Sequence, residues 1–155
     1  MQSIVQQLLS HLVRNDNALP SAAQSLAQHT TPLSSVNRVG SPSQNPAYRL
    51  ILAQRILALC SQDTYDFITD FEWYLSVLVD LAYVANVDVG AQIRDQLMDI
   101  TARVRAARRY SVQLMVKLLC DDTFLMNAED EGSCAEALWA AAWICGEHCR
   151  RVSFV

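Results

Sequence analysis

Three residues near the end of the chain have side chains that could do chemistry: Cys145, His148 and Cys149. Cys145 and Cys149 stand four apart, so on a helix both thiols could face one metal ion. Structural zinc sites usually combine a close Cys-x-x-Cys pair with a second pair of ligands, and the sequence has no such pair. A cysteine nucleophile needs a base held by a third group, whereas the adjacent side chains of His148 and Cys149 project in different directions. We therefore expect the cysteines to act as small core residues.

Other catalytic and cofactor motifs are missing from the sequence. The four glycines, Gly40, Gly90, Gly132 and Gly146, stand too far apart to form a glycine-rich phosphate loop. No serine, histidine or carboxylate lies in a recognisable catalytic signature. We expect no enzyme activity, no cofactor, no metal site and no small-molecule substrate.

Positive charge is concentrated at one predicted helix-to-helix junction. The cluster comprises Arg103, Arg105, Arg108 and Arg109, with Arg94 before it and Lys117 after it. In an acidic chain this local excess could bind acidic residues of a partner or anionic lipid headgroups. The alternative is that these are ordinary helix-end arginines, which pair with Asp95 and Asp99 and offset the helix dipoles.

Composition limits the remaining possibilities. The chain has 155 residues and a net charge of −4, enough length for one domain and no basic excess that would favour nucleic acid. The start of the chain lacks the pattern of a secretory signal. Five cysteines, an odd number, then favour reduced thiols in a cytoplasmic protein.

The segment TDFEWYLSVLVDLAYVA, residues 69–85, is apolar on almost every side when placed on a helix. Only Glu72, Ser76 and Asp80 form a polar line, so other helices must cover this helix on two sides. Its charges are too frequent for a membrane span. Thr69 with Glu72, and Ser133 with Glu136, have the spacing of capping boxes that would begin two helices.

Other segments show the same periodicity with different coverage. Residues 91–104 have one apolar face, and residues 108–120 are apolar on two sides. The segment ALWAAAWICG is apolar all round, which predicts burial on every side. We predict an all-α fold in which singly and doubly covered helices alternate, with no β-strand. The predicted core includes Trp73, Leu78, Leu114, Leu118, Leu138 and Trp143.

The spacing of the helices favours an α-solenoid. Trp73 and Tyr110, early positions in two doubly covered helices, are 37 residues apart, close to the ~40-residue period of HEAT and armadillo repeats. We divide the chain into a helix at 1–14, a flexible Ser/Pro-rich insert at 15–45, a solenoid segment at 46–149, and an irregular, aberrant C-terminus at 150–155. All four prolines lie in or at the edge of the insert, which lacks the apolar density to order itself.

Three segments of the sequence are similar to a known protein family: CSQDTYDFITDFEWYLSVLVDL, QIRDQLMDITARVRAARRYSVQLM and LWAAAWICGE. They closely resemble delta-adaptin, the large delta subunit of the adaptor-protein-3 complex, and in particular its fungal forms. The last phrase is similar to the Trp-x-x-Gly-Glu element of adaptin trunks, here Trp143, Gly146 and Glu147.

The resemblance implies part of an adaptin trunk, which is an α-solenoid. It also implies a role in a heterotetramer with beta, mu and sigma subunits. Such a complex coats vesicles that carry cargo from Golgi or endosomes to the lysosome or vacuole, so the expected location is cytoplasmic and peripheral on Golgi or endosomal membranes. An unrelated HEAT or armadillo interaction scaffold is the alternative.

Overall fold

The computed structural model describes residues 1–13 and 45–151. The described residues form seven α-helices and no β-strand: α1 (Gln2–Val13), α2 (Pro46–Ser61), α3 (Phe71–Val84), α4 (Gly90–Arg103), α5 (Arg108–Leu119), α6 (Asp122–Met126) and α7 (Glu136–His148). Short 3-10 turns at Gln62–Thr64, Arg105–Ala107 and Cys149–Arg151 complete the set. The all-α prediction is confirmed. The predicted insert at 15–45 lies outside the described residues except for Asn45, as do residues 152–155 of the predicted aberrant C-terminus.

Side chains cap the first turns of α2, α3 and α6. Asn45 Oδ1 accepts a hydrogen bond from the Ala47 amide at 2.9 Å, and Pro46 occupies the first turn, where no amide is needed. At α3 the cap is Asp70, whose Oδ1 accepts from the Trp73 amide at 3.0 Å. The capping box predicted from Thr69 and Glu72 is therefore wrong by one residue.

The second predicted capping box is also wrong. The hydroxyl of Ser133 donates to the backbone oxygen of Ala128 at 2.7 Å and so closes the acidic loop before α7. α7 begins at Glu136, and no side chain caps its first turn. The loop brings the backbone oxygen of Ala128 within reach of the Ser133 hydroxyl, so this hydroxyl does not cap α7. The spacing of Ser133 and Glu136 in the sequence does not show this turn.

The helices form two layers. One layer contains α1, α3 and α5, and the other contains α2, α4 and α7. Across the layers α1 packs on α2, α3 on α4 and α5 on α7, and helices within a layer pack side by side. This is the arrangement of stacked helix pairs that the 37-residue spacing predicted. Among the described helices, none combines the length and the apolar character that crossing a membrane requires.

The core lies between the layers and is nearly continuous. Leu78 and Leu118 are buried, and Trp73, Leu114 and Leu138 are partly buried against the core. The prediction of Trp143 as a core residue is wrong, because its side chain is 37% exposed. α3 has the predicted two-sided coverage, and α4 buries one face through Ile93, Leu97 and Ile100.

α7 differs from the predicted all-round burial. Its buried side is formed by small residues and one branched residue, Ala137, Ala140, Ala141 and Ile144, and by His148. Small side chains allow α7 to approach both α4 and α5 closely. Its tryptophans lie outside this buried stripe, on the exposed side of α7 that borders α4.

A buried arginine joins three helices at one end of the structure. Arg49 of α2 donates from Nε to the backbone oxygen of Ala85 at 3.1 Å and from one terminal nitrogen to Leu12 at 3.4 Å. The other terminal nitrogen donates to the backbone oxygen of Val84. Its charge is thus placed against carbonyls at the C-terminal ends of α1 and α3, where the helix dipoles are negative.

Candidate functional site

The four arginines of the cluster lie where α4 ends and α5 begins. The backbone extends at Val104, passes through the 3-10 turn Arg105–Ala107, and enters α5 at Arg108. The amide of Val104 bonds to the Ile100 oxygen at 2.8 Å, and Ala107 is buried. The buried alanine anchors the turn, so the neighbouring arginines are displayed at its surface.

Arg103 is committed to a carboxylate of its own helix. Its Nε lies 2.5 Å from Asp99 Oδ1, in the i,i+4 arrangement expected from the sequence. The pair is largely exposed, so its contribution to stability is small. The pKa of Tyr65 is raised to about 12, mainly by burial and to a smaller extent by the negative charge of Asp99. Asp99 therefore interacts with two side chains of the same chain, Arg103 and Tyr65.

Arg108 has a structural role. Its Nε donates to the backbone oxygen of Thr101 at 2.9 Å, and a terminal nitrogen donates to the oxygen of Ala102. These are orphan carbonyls of the last turn of α4, so the guanidinium caps that helix and offsets its dipole. Below it, the hydroxyls of Thr101 and Ser111 lie 2.7 Å apart in a buried hydrogen bond that joins α4 to α5.

Arg105 and Arg109 differ from the other two arginines. Both are exposed, and neither makes a hydrogen bond or an ion pair with the residues that the structure describes. Lys117, also exposed, lies two turns further along α5. The predicted cluster thus contains two kinds of arginine. Arg103 and Arg108 bond to groups of α4, whereas Arg105 and Arg109 are exposed to solvent.

Arg94 belongs to another surface. It pairs with Asp95, with Nη2 2.7 Å from Oδ1, and its guanidinium carbon lies 5.2 Å from the centre of the Trp139 ring. Trp139 and Trp143 line a shallow groove with residues of α4. This groove was not predicted from the sequence. The signal that could have found it is the i,i+4 tryptophan pair opposite a run of alanines on one helix.

Cys60 and Cys134 are buried, as predicted for core residues, and Cys145 is partly buried. Cys120 and Cys149 are exposed, so the prediction of core residues is wrong for these two. Burial raises the pKa of both Cys60 and Cys134 to about 11, and burial also raises the pKa of Cys145. Thiolates are therefore disfavoured at these positions. Within residues 1–13 and 45–151, no group of three or more His, Cys, Asp or Glu side chains is arranged to hold a metal ion. His148 is buried and meets the Trp143 ring edge-on at 6.0 Å.

Comparison with known proteins defines the family. The sequence model described as the adaptin N terminal region matches residues 2–154. The chain belongs to the adaptin N-terminal region family. The adaptin match covers the two layers of helices, so the prediction of an adaptin-type α-solenoid is confirmed.

Individual relatives narrow the resemblance within the adaptins. The chain is 43% identical over 100 residues to AP-3 complex subunit delta of Dictyostelium discoideum, covering 64% of this chain and 9% of that protein. It is 39% identical over 105 residues to AP-3 complex subunit delta-1 of Bos taurus, which covers 68% of this chain and 9% of that protein. It is 40% identical over 93 residues to AP-3 complex subunit delta of Arabidopsis thaliana, which covers 60% of this chain and 10% of that protein. The predicted resemblance to AP-3 delta subunits is confirmed, and the chain spans about a tenth of the length of these relatives.

Proposed function

We propose that this chain is a trunk segment of a vesicle-coat adaptor large subunit. In that role it helps to scaffold a heterotetramer with beta, mu and sigma subunits, which sorts cargo between Golgi or endosomes and the vacuole or lysosome. The observation that carries the proposal is the adaptin match over residues 2–154, together with the AP-3 delta relatives. Membership of this family does not favour the alternative of an unrelated HEAT or armadillo scaffold.

Several features of the chain support a role that depends on shape rather than chemistry. Two layers of packed helices hold their outer faces at fixed distances, which suits a subunit that presents partner surfaces. An adaptor role implies a structural protein without enzyme activity. It also implies peripheral association with Golgi or endosomal membranes through the assembled complex, on their cytoplasmic side.

Within this role we assign partner or anionic headgroup contact to Arg105 and Arg109. Their guanidinium groups are exposed and are not engaged by the described part of the chain, so they can meet an acidic surface without first breaking an internal pair. Arg103 and Arg108 act beside them, one holding Asp99 and one capping α4. Exposed charge contacts of this kind weaken as salt is added.

The experiment that tests the function is affinity purification of the full-length protein containing this segment from its own cells. We expect beta, mu and sigma adaptor subunits to co-purify in comparable amounts, as measured by quantitative mass spectrometry. Recovery of the tagged protein with none of these subunits, or with a different set of stable partners, would contradict the proposal.

The arginine assignment is tested in the same background with the double variant Arg105→Glu and Arg109→Glu. We expect weaker co-purification or weaker membrane recruitment with unchanged circular dichroism, because neither side chain supports the described fold. Arg55→Glu is the matched control, since Arg55 is an exposed arginine of α2 far from the junction in sequence. Equal assembly and recruitment of the double variant and the control would show that Arg105 and Arg109 make no partner contact.

A further inference from the structure

A pocket of about 140 Å³ opens between the C-terminal end of α3 and the segment that follows α5. One wall comes from residues 82–86, and the other from residues 123–134, which include most of α6 and the acidic loop before α7. Sites for drug-sized molecules usually have about 300–1,000 Å³, so this pocket has room for a single side chain rather than a nucleotide. It lies at the opposite end of α5 from the arginine junction.

Close contacts between the two segments fix the shape of the pocket. Gly132 has a φ of 81°, and a Cβ at this position would lie 2.8 Å from the backbone oxygen of Asn86, so only glycine allows this approach. On the other side, Asp121 caps α6 with Oδ1 and accepts a hydrogen bond from the Tyr83 hydroxyl with Oδ2. The pocket is therefore a built feature of the fold.

Two aromatic rings line the pocket. The rings of Tyr83 and Phe124 meet edge to face with their centres 4.9 Å apart. Phe124 is buried, whereas Tyr83 is 43% exposed and so remains accessible to an incoming group. Aromatic faces attract cations, and the methylene groups of lysine and arginine pack well on apolar surface. The wall thus suits a long cationic side chain.

Unpaired carboxylates stand at the same pocket. Asp130 and Glu131 line it, are exposed, and make no ion pair with any residue in the described ranges. The elements around the pocket carry six further acidic residues: Asp80, Asp88, Asp121, Asp122, Glu129 and Glu136.

Cations of the surrounding elements do not balance this charge. Neither stretch that forms the pocket contributes one, because the sequence has no lysine or arginine at residues 56–93 or 118–149. Arg49 of α2 is held by three backbone oxygens, and Arg94 of α4 is paired with Asp95. Lys117, in the last turn of α5, is left beside eight carboxylates. The pocket therefore lies in a region of net negative charge.

These observations distinguish between classes of occupant. An anionic or purely apolar group would leave the carboxylates unpaired or repelled. A bare divalent ion needs several converging oxygen ligands, and within the described ranges no group of three or more His, Cys, Asp or Glu side chains is so arranged. A lysine or arginine meets both requirements, since its charged end reaches Asp130 or Glu131 and its stem packs on Tyr83.

We propose that this pocket receives one lysine or arginine side chain from a basic segment of a partner protein. Its charge preference is opposite to that of the junction that bears Arg105 and Arg109. The proposal does not depend on the adaptor role, because it uses only the pocket and the charges around it. Pocket variants and junction variants can therefore fail independently.

The first test is selection of short random peptides from a displayed library on the 155-residue chain. Counter-selection uses the double variant Asp130→Asn and Glu131→Gln, which keeps the size of both exposed side chains and removes their charge. We expect enriched peptides that share a lysine or arginine, and we expect the counter-selection variant not to retain them. Enrichment of peptides without a cation, enrichment that the variant retains, or no enrichment at all would overturn the proposal.

Affinities of the selected peptides, measured by fluorescence anisotropy, separate the pocket from the general acidity of the loop. Asp130→Asn with Glu131→Gln should raise the Kd about tenfold or more. The matched control, Asp122→Asn with Glu129→Gln, removes the same charge from exposed residues that do not line the pocket, and should raise the Kd less than about threefold. Equal effects of the two double variants would show that the peptides bind the surface charge and not the pocket.

The aromatic wall is tested with two changes at one position. Tyr83→Phe and Tyr83→Leu both lose the hydrogen bond to Asp121, but only the leucine variant lacks the ring. We expect Tyr83→Leu to bind the peptides about threefold more weakly than Tyr83→Phe does. Amide shifts in NMR spectra locate the peptide, and those of Gly132 and Cys134 should move on binding. Shifts confined to other helices, or the same shifts produced by calcium alone, would exclude a cationic side chain as the occupant.

Discussion

Replacing Arg49 by methionine should destabilise the trunk segment more than any other single exchange of a charged residue in its described part. Arg49 is 6% exposed and donates to backbone oxygens of Leu12, Val84 and Ala85. Methionine keeps most of the length and apolar contact of the side chain but donates no hydrogen bond. The exchange therefore isolates the loss of the guanidinium from the loss of packing.

The magnitude follows from the carbonyl groups that are left behind. A hydrogen bond to a charged group contributes about 1.5–3 kcal/mol, and an acceptor left buried without a partner has a further desolvation cost. The loss is partly offset because the buried cation no longer needs to be desolvated. We expect the free energy of unfolding to fall by about 3 kcal/mol. For a chain of this size that lowers Tm by about 6–12 °C.

The assay is thermal and urea unfolding followed by circular dichroism, with Arg55→Met as the control. Arg55 lies on the same helix, is exposed, and should change stability by less than about 0.5 kcal/mol. Amide hydrogen exchange supplies a second measurement, since α1 should exchange faster once the bond to Leu12 is lost. A free energy of unfolding within about 1 kcal/mol of the wild type would show that the carbonyls find other partners and that Arg49 does not hold the three helices together.

Three further predictions concern the core, the junction and the buried thiols. Leu78→Ala should cost about 2–5 kcal/mol and Trp139→Ala less than about 1 kcal/mol, since only the leucine is buried; equal losses in urea unfolding would contradict the assigned burial. Arg108→Ala should cost about 1–2 kcal/mol through the lost cap on α4, whereas Arg109→Ala should be near neutral, and the reverse order would exclude the capping role. Burial raises the pKa of Cys134 from 9.0 to about 11, so its contribution is fully present below pH 9 and is lost as the pH rises through 11. Tm should therefore fall over this range less steeply in Cys134→Ala than in the wild type, and parallel curves would show that the thiol does not contribute.

The helices could be predicted from the sequence because long amphipathic patterns are strong signals. α3 has the two-sided burial and the exposed polar line at Glu72 and Asp80 that its sequence indicated. Its exact start was less predictable, since Thr69 and Asp70 are both good caps and only the backbone geometry selects Asp70. Boundaries depend on such local competition between neighbouring residues.

The orientation of α7 was mispredicted for a different reason. The largest apolar side chains dominate a helical periodicity pattern, so Trp143 was predicted in the core and the alanines were given little weight. The packing depends on distance: α7 touches α4 and α5 together, and a close approach on two sides selects Ala137, Ala140 and Ala141 for the interface. Which side of such a helix faces inwards is decided by its neighbours, not by its own periodicity.

The roles of the arginines depend on contacts that no local pattern contains. Arg49 meets Ala85, which lies 36 residues further along the chain, and Arg108 meets carbonyls of the helix before it. The sequence showed that Arg103, Arg105, Arg108 and Arg109 are concentrated at a junction, but not which of them are occupied. Only the three-dimensional arrangement shows that Arg103 and Arg108 are engaged within the chain while Arg105 and Arg109 are exposed to solvent.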